Sequence, residues 1–378
     1  MNILFMHNTL PEYRINWFKE ISKLSKCKFI FTNEKLNKQV YGTKIKYDKV
    51  RELDTIFLKK GLNGYIEIIN EIKHNFNYDF VLFPPIDSIR ELLVSMIVYN
   101  KCKRNSICTG YFWEKWEAPK DLQPFGRKVK NGLIKNAASI IFKRVDLVFA
   151  GGSKSREYFC NNGVDPSKIV VLPDSSEVPE CEYINIRQLY DIKDDKIIIL
   201  YFGRIFDQKG LDILLKAIGM IENQEDYFLI IAGDGDYRLY CEELVKKLDL
   251  KGVRFVGAVD PEKRKNFFEQ SDIFVFPGTY RGGRVDVWGL TLNEAMQFNN
   301  ILISTDAVGS AYDLIDNGIN GYMVDSEDVN QLCQAIKDSS EKIDMNKLKV
   351  YNNKMKQRYS FSNMASVFIN AIEDKLCR

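Results

Sequence analysis

Short apolar runs rich in Ile, Val, Leu and Phe recur along the whole chain, each followed by a longer amphipathic stretch, and this alternation constrains the fold more than any other feature. Runs with no polar alternate suit strands covered on both faces, the condition of a parallel sheet joined by crossover helices. The fold class is therefore α/β. In the first half, strands are predicted near Ile3–Met6, Lys28–Phe31, Phe80–Phe83, Ser106–Thr109, Asp146–Ala150 and Ile169–Leu172. A helical period over Ile89–Tyr99 places Leu92, Leu93, Met96 and Ile97 on one face. From Pro173 to about Lys196 the sequence turns polar and irregular, and the alternation then restarts, with strands near Ile197–Phe202, Phe228–Ala232, Arg254–Val256, Ile273–Phe276, Ile301–Ser304 and Tyr322–Val324. The chain has 378 residues, more than twice the usual single domain of about 150. Two doubly wound domains, 1–175 and 176–358, are expected, with the carboxyl ends of both sheets at a central cleft where open α/β sheets bind ligands.

Several function classes drop out early. The longest apolar stretches, such as Leu92–Tyr99, fall far short of the roughly 20 residues of a membrane-spanning helix. The start, Met1–Asn8, reads as a buried strand and lacks the basic leader of a secretory signal, so a cytoplasmic location is expected. Eight scattered cysteines without a C-x-x-C pair give neither a zinc site nor a disulfide framework, and His7 and His74 are too few for a histidine-rich metal centre. His74 reads as a surface residue. The net charge of +3 hides an asymmetry: residues 1–175 hold 29 Lys and Arg against 18 Asp and Glu, and the remainder 25 against 33. The excess is densest over Lys101–Arg144, which suits an anionic lipid surface or a phosphate-bearing substrate; nucleic acid is not among the expected partners. Within it, Arg127–Arg144 reads as a basic amphipathic helix that packs its apolar stripe on the sheet or lies against an anionic membrane.

Two loops carry candidate chemistry. Leu200–Gly210 runs from a buried strand into a helix start, with Gly203, Arg204 and Lys209 at the strand's carboxyl end, where two cations can clamp a diphosphate. Phe276–Met296 runs from a strand through a glycine-rich loop into a helix starting near Leu290. The free amides of Gly289 and Leu290 would face an anion, Glu294 lies about one turn in, and Asp286 faces the same opening. Each acid alone is ordinary near a helix start; together with the cationic loop they make a site. Asp234-Gly235-Asp236 is explained as a tight turn without a metal.

Phe202-Gly203-Arg204, Lys209-Gly210, Ala232-Gly233-Asp234-Gly235, Val256-Gly257, Ser271–Pro277, Gly289-Leu290, Asn293-Glu294-Ala295-Met296 and the pair Gly318 and Gly321 together resemble, in order and spacing, the retaining GT-B glycosyltransferases of family 4. The likeness is close over residues 197–325 and loose elsewhere. It implies a GT-B architecture of two Rossmann-like domains, an acceptor-binding one (1–175) and a donor-binding one (176–358), with a terminal helix within 359–378 that crosses back to the first. It also implies a nucleotide-diphosphate sugar (UDP, GDP or dTDP) as co-substrate, with no other cofactor and no metal. Arg204 and Lys209 would bind the diphosphate, Glu294 the ribose, and Asp286 the sugar. Asp286 stands where the family has a longer Glu, and the loop from Pro277 to it is longer than usual, so that Tyr280, Arg281 and Arg284 fall where sugar choice is made. In place of the family's cleft histidine the chain has Thr109–Glu117, from which Trp113 and Trp116 would stack on an acceptor sugar and Glu114 or Glu117 bond its hydroxyls; Tyr13 follows the first strand. The implied reaction is metal-independent, retaining transfer to a glycan or polyprenyl-linked acceptor in bacterial surface-polysaccharide synthesis. Its rivals are a sugar-nucleotide epimerase of the same fold and a catalytically silent sugar-nucleotide-binding subunit.

Overall fold

The computed structural model describes residues 1–32, 51–59, 62–74 and 76–377, and the side chain of His74 lies outside the described residues. The chain divides into two compact units. One comprises Met1–Trp116, Phe125–Ser175 and Tyr359–Arg378; the other comprises Glu117–Pro124 and Ser176–Arg358. The short segment Glu117–Pro124 thus groups with the second unit, although it falls inside the span 1–175 expected for the first.

The first unit is built on a seven-stranded sheet. Its strands are β1 (Asn2–His7), β2 (Lys26–Phe31), β3 (Asp54–Phe57), β4 (Phe80–Phe83), β5 (Cys108–Trp113), β6 (Leu147–Ala150) and β7 (Ile169–Val171), in the order β3-β2-β1-β4-β5-β6-β7, all parallel. β4 and β6 are wholly buried and β1 nearly so, which is why β4, β6 and Ile3–Met6 of β1 are unbroken apolar runs. β5 begins later and runs further than the predicted Ser106–Thr109, so Gly110 to Trp113 belong to the strand and not to a loop. β3, an edge strand, was not predicted. The helix Ile89–Arg104 buries Glu91, Val94, Ser95, Val98 and Cys102, and the side shared by Leu93, Met96 and Ile97 turns outward. The helix Phe361–Leu376 belongs to this unit, where Phe368 meets the rings of Phe5, Trp17, Phe80 and Phe149.

The second unit holds a six-stranded parallel sheet of β8 (Ile197–Phe202), β9 (Tyr227–Ala232), β10 (Val253–Gly257), β11 (Ile273–Phe276), β12 (Ile301–Thr305) and β13 (Gly321–Val324), ordered β10-β9-β8-β11-β12-β13. Its core packs Ile199, Ile231, Val275 and Ile303 of four strands against Leu211, Leu214 and Leu215 of the helix Leu211–Gly219 and Leu332 and Ile336 of the helix Val329–Lys342. In both sheets the strand order reverses direction once, between β1 and β4 and between β8 and β11. Loops leaving neighbouring strands on opposite sides of such a reversal open a crevice at the carboxyl edge. Among the described residues no helix is long and apolar enough to cross a membrane.

Candidate functional site

In the second unit both candidate loops leave the strands that flank the reversal, β8 and β11. Two glycines let them meet. Gly210, at φ 67°, stands so close to the second loop that a Cβ there would lie 1.8 Å from the Pro277 carbonyl oxygen, and the Thr279 amide donates back to the Gln208 carbonyl at 2.8 Å. Gly289, at φ 87°, precedes the helix Leu290–Gln297, and a Cβ on it would press on Phe276, Val308 and Ser310. The N-cap residue Gly289 has no side chain with which to cap that helix, which suits its first amides to a ligand.

These loops bring two of the predicted residues, Lys209 and Asp286, together. Lys209 Nζ donates to Asp286 Oδ1 at 2.7 Å and lies 4.7 Å from the centre of the Phe276 ring. Asp286 is fixed by its backbone, whose amide donates to Ala307 at 3.0 Å and whose carbonyl accepts from Gly309 at 2.8 Å. Its other carboxylate oxygen is buried and has no partner among the described residues. Arg204 is exposed, its guanidinium 5.2 Å from the centre of the Phe206 ring, and makes no ion pair with a described residue. The cations therefore differ: one is free, the other neutralised by the acid expected to touch sugar.

Glu294 is enclosed, at 2% exposure. Ser176 Oγ donates to its Oε1 at 2.6 Å and Arg264 approaches the same oxygen at 3.0 Å, while Oε2 is buried without a partner among the described residues. Burial pushes its carboxyl above the ordinary 4.5, and Arg264 and Ser176 pull it back. Arg264 and Ser176 were not expected from sequence; no motif marks them, since one precedes the apolar run of the helix Arg264–Glu269 and the other sits in the polar linker. Tyr280, Arg281 and Arg284 prove to be bracing. Tyr280 donates to the Asp306 carbonyl at 2.6 Å, Arg281 holds both oxygens of buried Asp212 at 2.8 and 3.0 Å, and Arg284 holds Asp207 at 3.0 Å. Arg281 and Arg284 tie the long loop to the turn that carries Lys209 and to the helix after it, and Tyr280 ties it to the end of β12. Asp234 accepts from the Gly235 amide at 2.8 Å, as a turn acid does.

In the first unit the carboxyl edge is organised around a residue that sequence reasoning passed over, Arg14, buried at 4% exposure. It donates to Asp174 through two nitrogens at 2.8 and 3.1 Å and to His7 Nε2 at 2.7 Å, pairs with Glu114, and lies 4.8 Å from the Phe112 ring centre. With Nε2 accepting, His7 carries its proton on Nδ1, bonded to the Thr9 carbonyl at 2.9 Å. Burial, then the charge of Arg14, lowers the His7 pKa well below its usual value, so the ring is neutral. Across the reversal between β1 and β4, Asn8 donates to Asp87 at 3.1 Å. Trp113 closes β5, half-buried, edge-on to Tyr111 and Tyr158. Trp116 is 4% exposed with Lys154 over its ring, which leaves no open face for a sugar and removes the basis for its stacking role. Glu114 is engaged by Arg14 and so is not an idle hydroxyl acceptor. Tyr13 is half-buried beside Arg14.

Comparison with known proteins adds a family likeness over part of the chain. The profile of glycosyl transferases group 1 matches residues 183–357. An uncharacterized glycosyltransferase of Methanocaldococcus jannaschii is 28% identical over 192 residues, 50% of this chain and 48% of that one, so the chain spans about half the length of the curated relative it matches. Among solved structures, Anabaena HepE in complex with UDP has a TM-score of 0.72 at 16% identity, covering 99% of this chain and 100% of that one. A putative UDP-N-acetylglucosamine 2-epimerase from Listeria monocytogenes gives 0.57 at 14% identity, covering 99% and 96%.

Proposed function

We propose that this chain, whose residues 183–357 form a group 1 glycosyltransferase domain within a GT-B fold, transfers a sugar from a nucleotide-diphosphate sugar to a hydroxyl of a glycan or polyprenyl-linked acceptor, with retention of configuration and without a metal. The observation that carries this reading is the meeting of two separate loops at the β8/β11 reversal, where Lys209 and Asp286 touch at 2.7 Å beside an uncapped helix start. The bond between the sugar's anomeric carbon and the diphosphate oxygen breaks while the acceptor oxygen bonds to the same carbon, and the acceptor's proton passes to the departing phosphate. Negative charge builds on the diphosphate as this happens. With donor bound, Arg204, Lys209 and the amides at Gly289 and Leu290 surround the diphosphate and stabilise that charge most in the transition state. Glu294 offers its unpaired oxygen to the ribose, and Asp286, one methylene shorter than a glutamate, reaches the sugar once the diphosphate draws Lys209 away. Gly203 keeps the first loop open beside the phosphates. On the acceptor side Trp113 and Tyr13 are the surviving candidates, with Glu114 acting through Arg14.

The reaction is placed in the cytoplasm, and bacterial capsule, O-antigen or exopolysaccharide synthesis is the proposed setting. A thermal-shift panel of UDP, GDP and dTDP sugars tests donor binding: one at 100 times its Kd raises stability by about 2.7 kcal/mol, and no shift with any of them sinks the reading. Arg204→Ala lowers turnover by about 10² to 10³ with melting temperature unchanged; wild-type rates would remove Arg204 from the mechanism. The likeness to an epimerase fold keeps one second reading. Incubation with donor alone separates the two, because an epimerase changes the sugar and leaves the nucleotide attached.

A further inference from the structure

The two carboxylate oxygens of Glu294 are treated unequally. Oε1 takes two donors, the Ser176 hydroxyl at 2.6 Å and the Arg264 guanidinium at 3.0 Å, so both of its lone pairs are used. Oε2 is buried and has no partner among the described residues. Both donors are themselves held. The Ser176 carbonyl accepts from Gln297 Nε2 at 2.5 Å, one turn beyond Glu294, so the helix Leu290–Gln297 grips Ser176 by main chain and side chain together. Arg264 opens the helix Arg264–Glu269, which is anchored by buried Phe267 and Phe268, the latter ring 5.0 Å from that of Phe202. Asn266 of the same helix donates to the Glu182 carbonyl and accepts from the Ile184 amide, both at 2.9 Å. A carboxylate clamped on one oxygen by groups fixed in this way has little freedom to turn the other elsewhere.

We infer that Arg264 and Ser176 are positioning residues that aim Oε2 of Glu294 at a cis-diol, and that through it they select ribonucleotide sugars over 2′-deoxyribonucleotide ones. The inference rests on the transferase reading, in which Glu294 meets the ribose, and adds to it a class of donor and two residues that act through Glu294. The selection is a count of lone pairs. Oε2 can accept two hydrogen bonds, and the adjacent 2′ and 3′ hydroxyls of a ribose supply two donors. A 2′-deoxyribose supplies one. Part of a buried ionic acceptor then stays unsatisfied, and a site built to bond a hydroxyl penalises the ligand that lacks it. A mobile glutamate could relieve this by turning Oε1 outward, but here Oε1 is already committed. The Arg264 charge also favours the ionised form of this enclosed group, which only accepts.

Isothermal titration calorimetry of the full-length chain with UDP against dUDP, and with GDP against dGDP, tests it, because each pair differs only in the 2′ hydroxyl. Wild type should bind the ribonucleotide of the pair it accepts about ten- to a hundredfold more tightly than its deoxy counterpart. Arg264→Ala should lower affinity for that ribonucleotide by about tenfold and barely change the deoxy counterpart, so that the ratio falls toward one. Ser176→Ala should move the ratio the same way by less, and Arg264→Lys, which keeps a cation and a donor, should restore most of it. A merely structural role for Arg264 would weaken both members of the pair alike. If Arg264→Ala does not fold, the wild-type ratio decides together with Ser176→Ala and Arg264→Lys. Equal or tighter binding of the deoxynucleotide by wild type, or a ratio left unchanged by these substitutions, overturns the inference and leaves the transferase reading in place. Absence of binding of all four nucleotides overturns both.

Discussion

Glu294 shows what burial does to a carboxylate. Its folded pKa is raised, so the folded state holds that proton more firmly than the unfolded chain. Its contribution to stability is therefore full below the ordinary 4.5 and is lost as pH rises through the raised value. Glu294→Gln removes this penalty. The melting temperature of the variant minus that of wild type should be more positive at neutral pH than below 4.5, while its nucleotide-sugar shift is smaller; a difference independent of pH would show that Glu294 does not titrate this way. Arg264 limits the penalty by holding one oxygen in place and leaving the other to accept. Arg204, Lys209, Asp286 and Glu294 could be singled out in the sequence because each lies in a loop or first turn between a strand end and a helix start; Arg264, which no motif marks, could not. Arg14 was not. Its partner Asp174 lies 160 residues away, and a lone arginine after a strand gives no sign of being buried.

At the scale of elements, the long loop between β11 and the helix Leu290–Gln297 is held by Arg281, whose guanidinium spans the two oxygens of Asp212, itself 2% exposed. Removing it strands a buried carboxylate that keeps Lys216 at 3.3 Å as its remaining cation. Arg281→Ala should cost about 3 kcal/mol of unfolding free energy. It should also weaken donor binding, because the turn with Lys209 loses its brace; chemical denaturation together with the thermal-shift assay reads both, and an unchanged midpoint would show the pair to be ornamental. Strands were easy to find because parallel strands covered on both faces leave solid apolar runs, as in Phe80–Phe83. Asp54–Phe57 escaped because an edge strand needs less burial and shows no such run. The helix Ile89–Arg104 exposes a deeper limit: periodicity reveals that its apolar residues share a side, and only the folded molecule reveals that much of this side faces out.

At the scale of the whole molecule, the first unit is closed by the last helix of the described chain. Phe368 is fully buried among four rings from β1, β4, β6 and the helix Ile15–Leu24. Phe368→Ala should cost about 3 to 5 kcal/mol. Calorimetry should show the loss in one of two transitions, and the transition that moves with added nucleotide sugar should be the other one. The two-domain organisation could be guessed from the polar break after Pro173, whereas the route by which the chain rejoins its first unit came to the sequence reading only through family resemblance.

That route has a consequence for biogenesis. As the ribosome delivers the chain amino end first, the front sheet emerges early but lacks the aromatic lid of Phe361–Leu376. The inserted rear unit, whose residues finish at Arg358, is free to become native sooner. The lobe made first is then completed last, and until it is, Phe5, Trp17 and Phe149 are surfaces for a chaperone to cover.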